Sequence, residues 1–444
     1  MNGKLSRRNA VKGAATVASA AALGVASKKS SVFAAPAFVR QTGSAVNVVY
    51  WGSWSGELGE AEQEVVTRFN DSQSDVVIEY QFQGSYEETA QKLTAALAAN
   101  QTPDVSALSD VWWFRFYLAN ALAPLNDLIA ANDVDTSDYV DSLFQEGVRN
   151  DVSYWLPFAR STPLFYFNRE AFAEAGLPDR GPETWDEFLG WIPDLMVEES
   201  GNVTRHAFGH PDAASYVAWL FQPVVWQWGG AYSDPDFTIR LAEAEAVAAG
   251  EFYKSSTADG WALPGADHVV DFNNGLTSAI MASTGSIASI AANATFDYGT
   301  SFLPEGMEFG CCTGGAGLSV LANAPAEKQD AALQFIAFAT SPEITTFWSQ
   351  VTGYMPVRKS AIESPEMQAF YDENPNFETA VNQLPLTRAQ DAARVFIPNG
   401  DQIIGSGIER ILINQEDVQT VFSEVAAILE EEAQPVLDAI AALG

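Results

Sequence analysis

Apolar and polar positions alternate along the chain in two periods. Val46-Asn47-Val48-Val49-Tyr50-Trp51 is a short β-branched and apolar run that predicts a buried parallel strand. From Glu57 to Phe69 the period changes to that of a helix, with Leu58, Ala61, Val65, Val66 and Phe69 on one face and Asn70-Asp71-Ser72 as its stop. Val76 to Gln83 reads as a second strand, Tyr86 to Ala99 as a second helix, and Asp104 to Leu108 as a third strand after the Thr102-Pro103 break. This βαβαβ order predicts an α/β architecture: an open, mainly parallel sheet whose ligand site lies beyond the carboxyl ends of its strands. Tyr86 and Asp110 follow the second and third strands, so both are candidates for that site.

A second α/β unit begins near Trp155-Leu156-Pro157, with Leu164 to Phe167 as a strand and Arg169 to Ala175 as a helix. Thr184 with Glu187 three positions on is the signature of a capping box. Ala242 to Lys254, Ala326 to Thr340 and Val421 to Leu443 have helical spacing, the last with an expected interruption at Pro435. Gly314-Gly315-Ala316-Gly317 reads as a flexible loop whose backbone amides can approach a ligand.

At the amino end, Ser6-Arg7-Arg8-Asn9-Ala10-Val11-Lys12 precedes an apolar run too short to span a bilayer, then Ala35-Pro36-Ala37. The pattern predicts a twin-arginine signal over residues 1–37 and an extracytoplasmic protein, in a periplasm or at the cell surface. Roughly 400 residues remain, more than one hydrophobic core usually supports, so two domains are expected. The 57 acidic residues outnumber 23 basic ones, giving a net charge of −34, and all seven charges within residues 1–40 are basic. A surface this acidic repels phosphate backbones, which argues against a nucleic-acid partner.

Cys311 and Cys312 are adjacent and cannot staple distant segments, so both are expected to be buried strand residues. His206 and His210 are four apart, but Gly209 and Pro211 oppose the helix that would align them on a metal. Neither a metal site nor a cofactor is expected. Gly-x-Ser-x-Gly, His-Glu-x-x-His and Gly-x-x-x-x-Gly-Lys motifs are all absent. Paired carboxylates leave a secreted glycoside hydrolase or lyase as the alternative, although no spacing favours it.

Several segments together carry a resemblance: Trp54-Ser55-Gly56-Glu57-Leu58-Gly59, Gly84-Ser85-Tyr86-Glu87, Pro157-Phe158-Ala159-Arg160-Ser161-Thr162-Pro163, Trp226-Gln227-Trp228-Gly229-Gly230, Met281-Ala282-Ser283-Thr284-Gly285-Ser286 and Thr352-Gly353-Tyr354-Met355-Pro356. In order and spacing the chain resembles extracellular solute-binding protein family 1 of carbohydrate-type ABC importers, in particular its glycerol-3-phosphate-binding branch. The resemblance implies a two-lobe, periplasmic-binding-protein-like fold of type II, hinge-linked, with ligand in the cleft. It implies lobe I over 46–158 and 297–350, and lobe II over 159–296 and 351–444. The implied function is capture of a sugar, oligosaccharide or glycerol-3-phosphate-like polyol for a membrane permease by a monomer, with no enzymatic step. Tyr86, Asp110, Ser161, Ser283, Gly315 and Tyr354 are implied at the cleft.

Where the branch has a phosphate-binding arginine, this chain has Asp401, and a carboxylate about 5 Å from a phosphate oxygen costs roughly 3 kcal/mol. Arg160 is a candidate replacement cation or a partner of Asp110 or Asp401, and Arg394 lies close to the altered segment. Of Trp112, Trp113, Trp226 and Trp228, one or two are expected to face ligand, Trp228 among the candidates.

Overall fold

The computed structural model describes residues 45–212 and 216–443, so the expected signal segment lies outside the described residues. Ten strands build two five-stranded sheets: β1 (Val46–Gly52), β2 (Val76–Phe82), β3 (Val105–Ser109), β4 (Leu156–Ser161), β5 (Pro163–Asn168), β6 (Phe208–Pro211), β7 (Ala262–Gly265), β8 (Ala279–Ser283), β9 (Tyr298–Ser301) and β10 (Gly314–Val320). The first sheet has the order β2-β1-β3-β10-β4 and the second β7-β6-β8-β5-β9. In each, a single strand runs against the rest: β10 is antiparallel to β3 and β4, and β5 is antiparallel to β8 and β9.

The chain passes from one sheet to the other at Thr162, the one residue between β4 and β5, and returns between β9 and β10. Two lobes joined by such crossings are the type II arrangement. The expected break at 158/159 falls inside β4, which stays in the first sheet to Ser161, and β9, expected in lobe I, pairs in the second sheet. Strand pairing moves these segments, because β9 has its hydrogen-bonding partner in β5 while the crossing comes only after Ser301.

Helices α1 (Gly56–Ser72), α2 (Tyr86–Ala99), α3 (Val217–Gln227), α4 (Ala326–Ala339), α5 (Pro342–Thr352), α6 (Gly400–Asn414) and α7 (Val418–Leu443) cover the sheets. In α1 the predicted face is the buried one: Ala61, Val65, Val66 and Phe69 join the core of the first sheet with Val48, Ile78 and Phe335. α3 is buried all round, which suits a helix in the middle of the second core.

Four local expectations are corrected. Gly314 to Gly317 belongs to β10 and is no free loop, since both neighbouring strands pair with it. Cys311 and Cys312 are free and buried but sit in the crossing before β10, outside any strand. α7 runs unbroken through Pro435, where packing on both cores outweighs the missing backbone hydrogen bond. The Thr184 hydroxyl accepts from Glu187 N at 3.1 Å, but the Glu187 carboxylate takes Glu183 N and Arg180, so the box is half formed. The reciprocal capping box is at Ser85 and Glu88, and it sets the start of α2.

One buried acid stands out in the first core. Glu62 on α1 accepts hydrogen bonds from the Tyr50 hydroxyl and, at 2.7 Å, from the Tyr80 hydroxyl. Burial pushes its carboxyl from 4.5 to about 8 despite these donors. A raised folded-state pKa makes this contribution to stability full below about 4.5, and it is lost as pH rises through about 8. Glu62→Gln keeps the hydrogen-bonding shape without the charge. Thermal melts at several pH values are expected to show the variant gaining on the wild type as pH rises from 5 to 9. A pH-independent difference would contradict the assignment.

Candidate functional site

Because β10 runs opposite to its neighbours, its first residues lie at the edge where β3 and β4 end. Gly315 is held there at φ +102°, and a side-chain carbon on it would meet Ala159 O at 2.1 Å, so only glycine fits. Its carbonyl accepts from Asp110 N at 2.9 Å, which fixes Asp110 just past β3. The loops at this edge and those after β8 enclose a cavity of about 440 Å³. Tyr86, Asp110, Ser161, Ser283, Gly315, Tyr354 and Asp401 all line it.

Its floor is aromatic. Tyr354 stacks on Trp348 at 5.9 Å and meets the edge of Trp54, which also contacts Tyr86. Burial, then the neighbouring Tyr354, raises the Tyr86 phenol well above its usual pKa, so it is a neutral hydroxyl at all ordinary pH. Ser109 Oγ is buried without a hydrogen-bond partner, although the residue faces the cavity. Such an orphan carries a desolvation cost that a hydroxylated ligand relieves.

The charged wall comes from both lobes. The chain reverses at Asn399, in the left-handed region at φ 59°, and at Gly400, where a side-chain carbon would come within 1.9 Å of Ala393 O. This turn brings Arg394 against the first turn of α6, and its Nε donates to Asp401 at 2.6 Å. Its Nη1 lies 3.8 Å from Asp110 Oδ2 and donates to Gln390 Oε1. Gln390 Nε2 in turn donates to Asp110 Oδ2 at 2.5 Å. Burial disfavours the charge on Arg394, but Asp401 and Asp110 outweigh it and its pKa ends above the usual value. Burial holds the Asp401 carboxyl above its usual value, opposed by Arg394.

Arg160 and Trp228 are placed elsewhere. Arg160 is fully buried beneath β10, stacked on Trp155 at 4.8 Å and paired with Glu146 rather than with Asp110 or Asp401. Its side chain leaves β4 on the face away from the cavity, while the next residue, Ser161, points into it, as alternation along a strand requires. Trp228 stacks on Phe252 at 4.7 Å in the second core, and Trp226 packs there with its Nε1 on Asp391. Of the four tryptophans considered, Trp112 lines the cavity and Trp113 a neighbouring chamber.

Trp54, Tyr216, Trp219 and Ser109 also line the cavity and were not among the residues the sequence placed there. Trp219 had no local signal, because α3 is apolar on every side and only its packing shows which ring faces outward. His210, on β6, bonds Ser256 Oγ at 2.8 Å, and burial lowers its pKa to about 3. No cluster of metal-binding side chains occurs among the described residues.

Two sheets of this order, linked by crossings and flanking a polar, aromatic-floored cavity, define a substrate-binding protein of the periplasmic-binding-protein class. The chain belongs to the bacterial extracellular solute-binding protein family, whose sequence profile matches residues 64–379. It is an extracytoplasmic substrate-binding protein of an ABC importer.

The sn-glycerol-3-phosphate-binding periplasmic protein UgpB of Yersinia enterocolitica is 28% identical over 371 residues, 78% of this chain and 82% of that protein. The crystal structure of UgpB from Mycobacterium tuberculosis in complex with glycerophosphocholine matches with a TM-score of 0.82 and 42% identity, over 89% of this chain and 99% of that one. A cyclic alpha-maltosyl-1,6-maltose binding protein from Arthrobacter globiformis shares the fold, with a TM-score of 0.74 at 24% identity over 88% and 99% of the two chains.

The Arg160 and Glu146 pair is also held by Thr313, whose hydroxyl donates to Glu146 at 2.6 Å. Arg160→Met strands a buried carboxylate and is expected to cost about 3–5 kcal/mol in denaturant unfolding. A loss under 1 kcal/mol would show the pair to be dispensable.

Proposed function

We propose that the cleft binds a polyol carrying at most one negative charge, of the glycerophosphodiester kind. The observation that carries this reading is the Asp110, Arg394 and Asp401 cluster: one guanidinium faces the cavity between two carboxylates. The cluster carries a net single negative charge, so each negative charge on a ligand beyond what Arg394 pairs directly is opposed, and a phosphate dianion is opposed about twice as strongly as a phosphodiester monoanion. The carboxylate of Asp110, the hydroxyls of Tyr86, Ser109, Ser161 and Ser283, and the ring of Tyr354 supply the partners that glycerol hydroxyls and C–H faces need. Asp401, unexpected at a phosphate site from its charge alone, orients Arg394 in this reading.

Likeness to the two UgpB proteins supports the ligand class. Tyr86, Asp110, Ser161, Ser283, Gly315, Tyr354 and Asp401 act as the ligand-binding set, and Arg394 joins them. Ligand touching both lobes stabilises their closure over it, and the closed monomer is presented to a membrane permease. Export follows the twin-arginine route. In this reading the ligand is bound and released without covalent chemistry, Asp110 and Asp401 being drawn to Arg394 rather than set apart as an acid and a base.

Isothermal titration with glycerophosphocholine, glycerol-3-phosphate and maltose tests the reading. The diester is expected to bind most tightly. Asp110→Ala and Tyr354→Ala are each expected to weaken it about tenfold or more, because a hydrogen bond to a charged group contributes roughly 1.5–3 kcal/mol. Tighter binding of glycerol-3-phosphate would refute the charge limit, and unchanged affinity in both variants would refute the site.

A further inference from the structure

Asp110 belongs to two cavities. Beyond it lies a second chamber of about 400 Å³, between Glu146 and Arg149 on the first lobe and the 389–396 segment on the second. Gln390 lines this chamber, and its side chain is held between Asp110, which borders both cavities, and Arg394 of the cleft. Gln390 offers an amide donor to the acid and a carbonyl acceptor to the cation. It thus occupies the two charged groups of the cleft in the way a ligand hydroxyl and a ligand anion would.

The chamber has its own electrostatic imbalance. Of its carboxylates, Glu146 is paired with Arg160 and Thr313, Asp391 accepts from Trp226 Nε1 and Tyr232 N, and Asp110 is held by Gln390. Arg149 has no carboxylate partner among the described residues. Its Nη1 donates to Val148 O at 2.6 Å, and its guanidinium lies 4.4 Å from the Phe396 ring and 4.9 Å from that of Trp113. Burial lowers its pKa to about 10, opposed by Tyr117 and Glu146. A partly desolvated guanidinium on an aromatic shelf, with donors to spare, is a receptor for an oxyanion.

We propose that this chamber is an anion subsite of the same groove, with Arg149 as its cation and Gln390 as the movable partition, taking the carboxylate of a zwitterionic head group at the far end of an elongated ligand whose net charge stays at one negative unit. The proposal rests on the phosphodiester reading of the cleft. A phosphodiester on Arg394 sends one ester arm toward Tyr86 and Tyr354, and its other arm meets Gln390. Displacing that side chain frees Asp110 and Arg394 for ligand and opens the way to Arg149.

Glycerophosphoserine and glycerophosphoethanolamine differ by one carboxylate and are suitable probes, with glycerol-3-phosphate as reference. Titration of the full chain is expected to show the serine diester bound about tenfold more tightly than the ethanolamine diester, and Arg149→Met is expected to abolish that ratio while changing the ethanolamine diester less than twofold. Gln390→Ala, which leaves Arg149 in place, is expected to raise affinity for the serine diester more than for glycerol-3-phosphate. That arm decides the matter if Arg149→Met does not fold. An equal ratio in wild type and Arg149→Met, or no gain in Gln390→Ala, overturns the subsite. If glycerol-3-phosphate binds and neither diester does, the chamber proposal and the phosphodiester reading fall together and only a polyol-binding cleft stands. If none of the three binds, both fall.

Discussion

One buried guanidinium ties the two lobes at the cavity proposed as the ligand site. Arg394 leaves the second lobe, is held by Asp401 of its own lobe and reaches Asp110 on the first. Taken alone, each of these groups is costly to bury, and the cluster persists because every charge has an opposite within reach. The same arrangement makes the cleft polar without making it strongly basic, which is the basis of the charge limit in the proposed reading. Gln390 completes it by satisfying the donor and acceptor that face the open space.

The scaffold around this cluster is stiff for reasons of packing. Tyr354 rests on Trp348 and Trp54, and Trp54 on Tyr86 and Phe158, so the floor of the cleft is continuous with the core of the first sheet. Arg160, Glu146 and Thr313 brace the outgoing strand, the turn at Glu146 and the returning segment. These braces lie close to the crossing at Thr162, about which the lobes move in the proposed closure. In that proposed closure, rigid walls and a narrow crossing would confine motion to a hinge, so that binding at the cleft changes the lobe angle.

The comparison of Arg160 with Ser161 shows how far local reasoning reaches. Both lie in one motif, and adjacent positions on a strand point to opposite faces, so one of them had to leave the cleft. Choosing which required knowing that β10 pairs against β4 and leaves Glu146 beneath Arg160. Trp228 was misplaced for a related reason: aromatic rings near glycines serve equally well as core and as platform, and Phe252 decides the matter. The sequence offers Arg160 as a partner for Asp401, and the reversal at Asn399 and Gly400 gives it Arg394 instead.

The order of elements, the start of α2, the buried face of α1 and the cleft positions Tyr86, Asp110, Ser161, Ser283, Gly315 and Tyr354 were legible in the chain itself. They depend on periodicity, capping and strand ends, which are local, or on motif order, which a family shares. Tertiary structure alone decided the pairing of charges, the transfer of β9 to the second sheet, the commitment of the 314–317 glycines to β10 and the second chamber behind Gln390. Each of these joins groups far apart in sequence, and their energies depend on distances and burial that no stretch of chain specifies by itself.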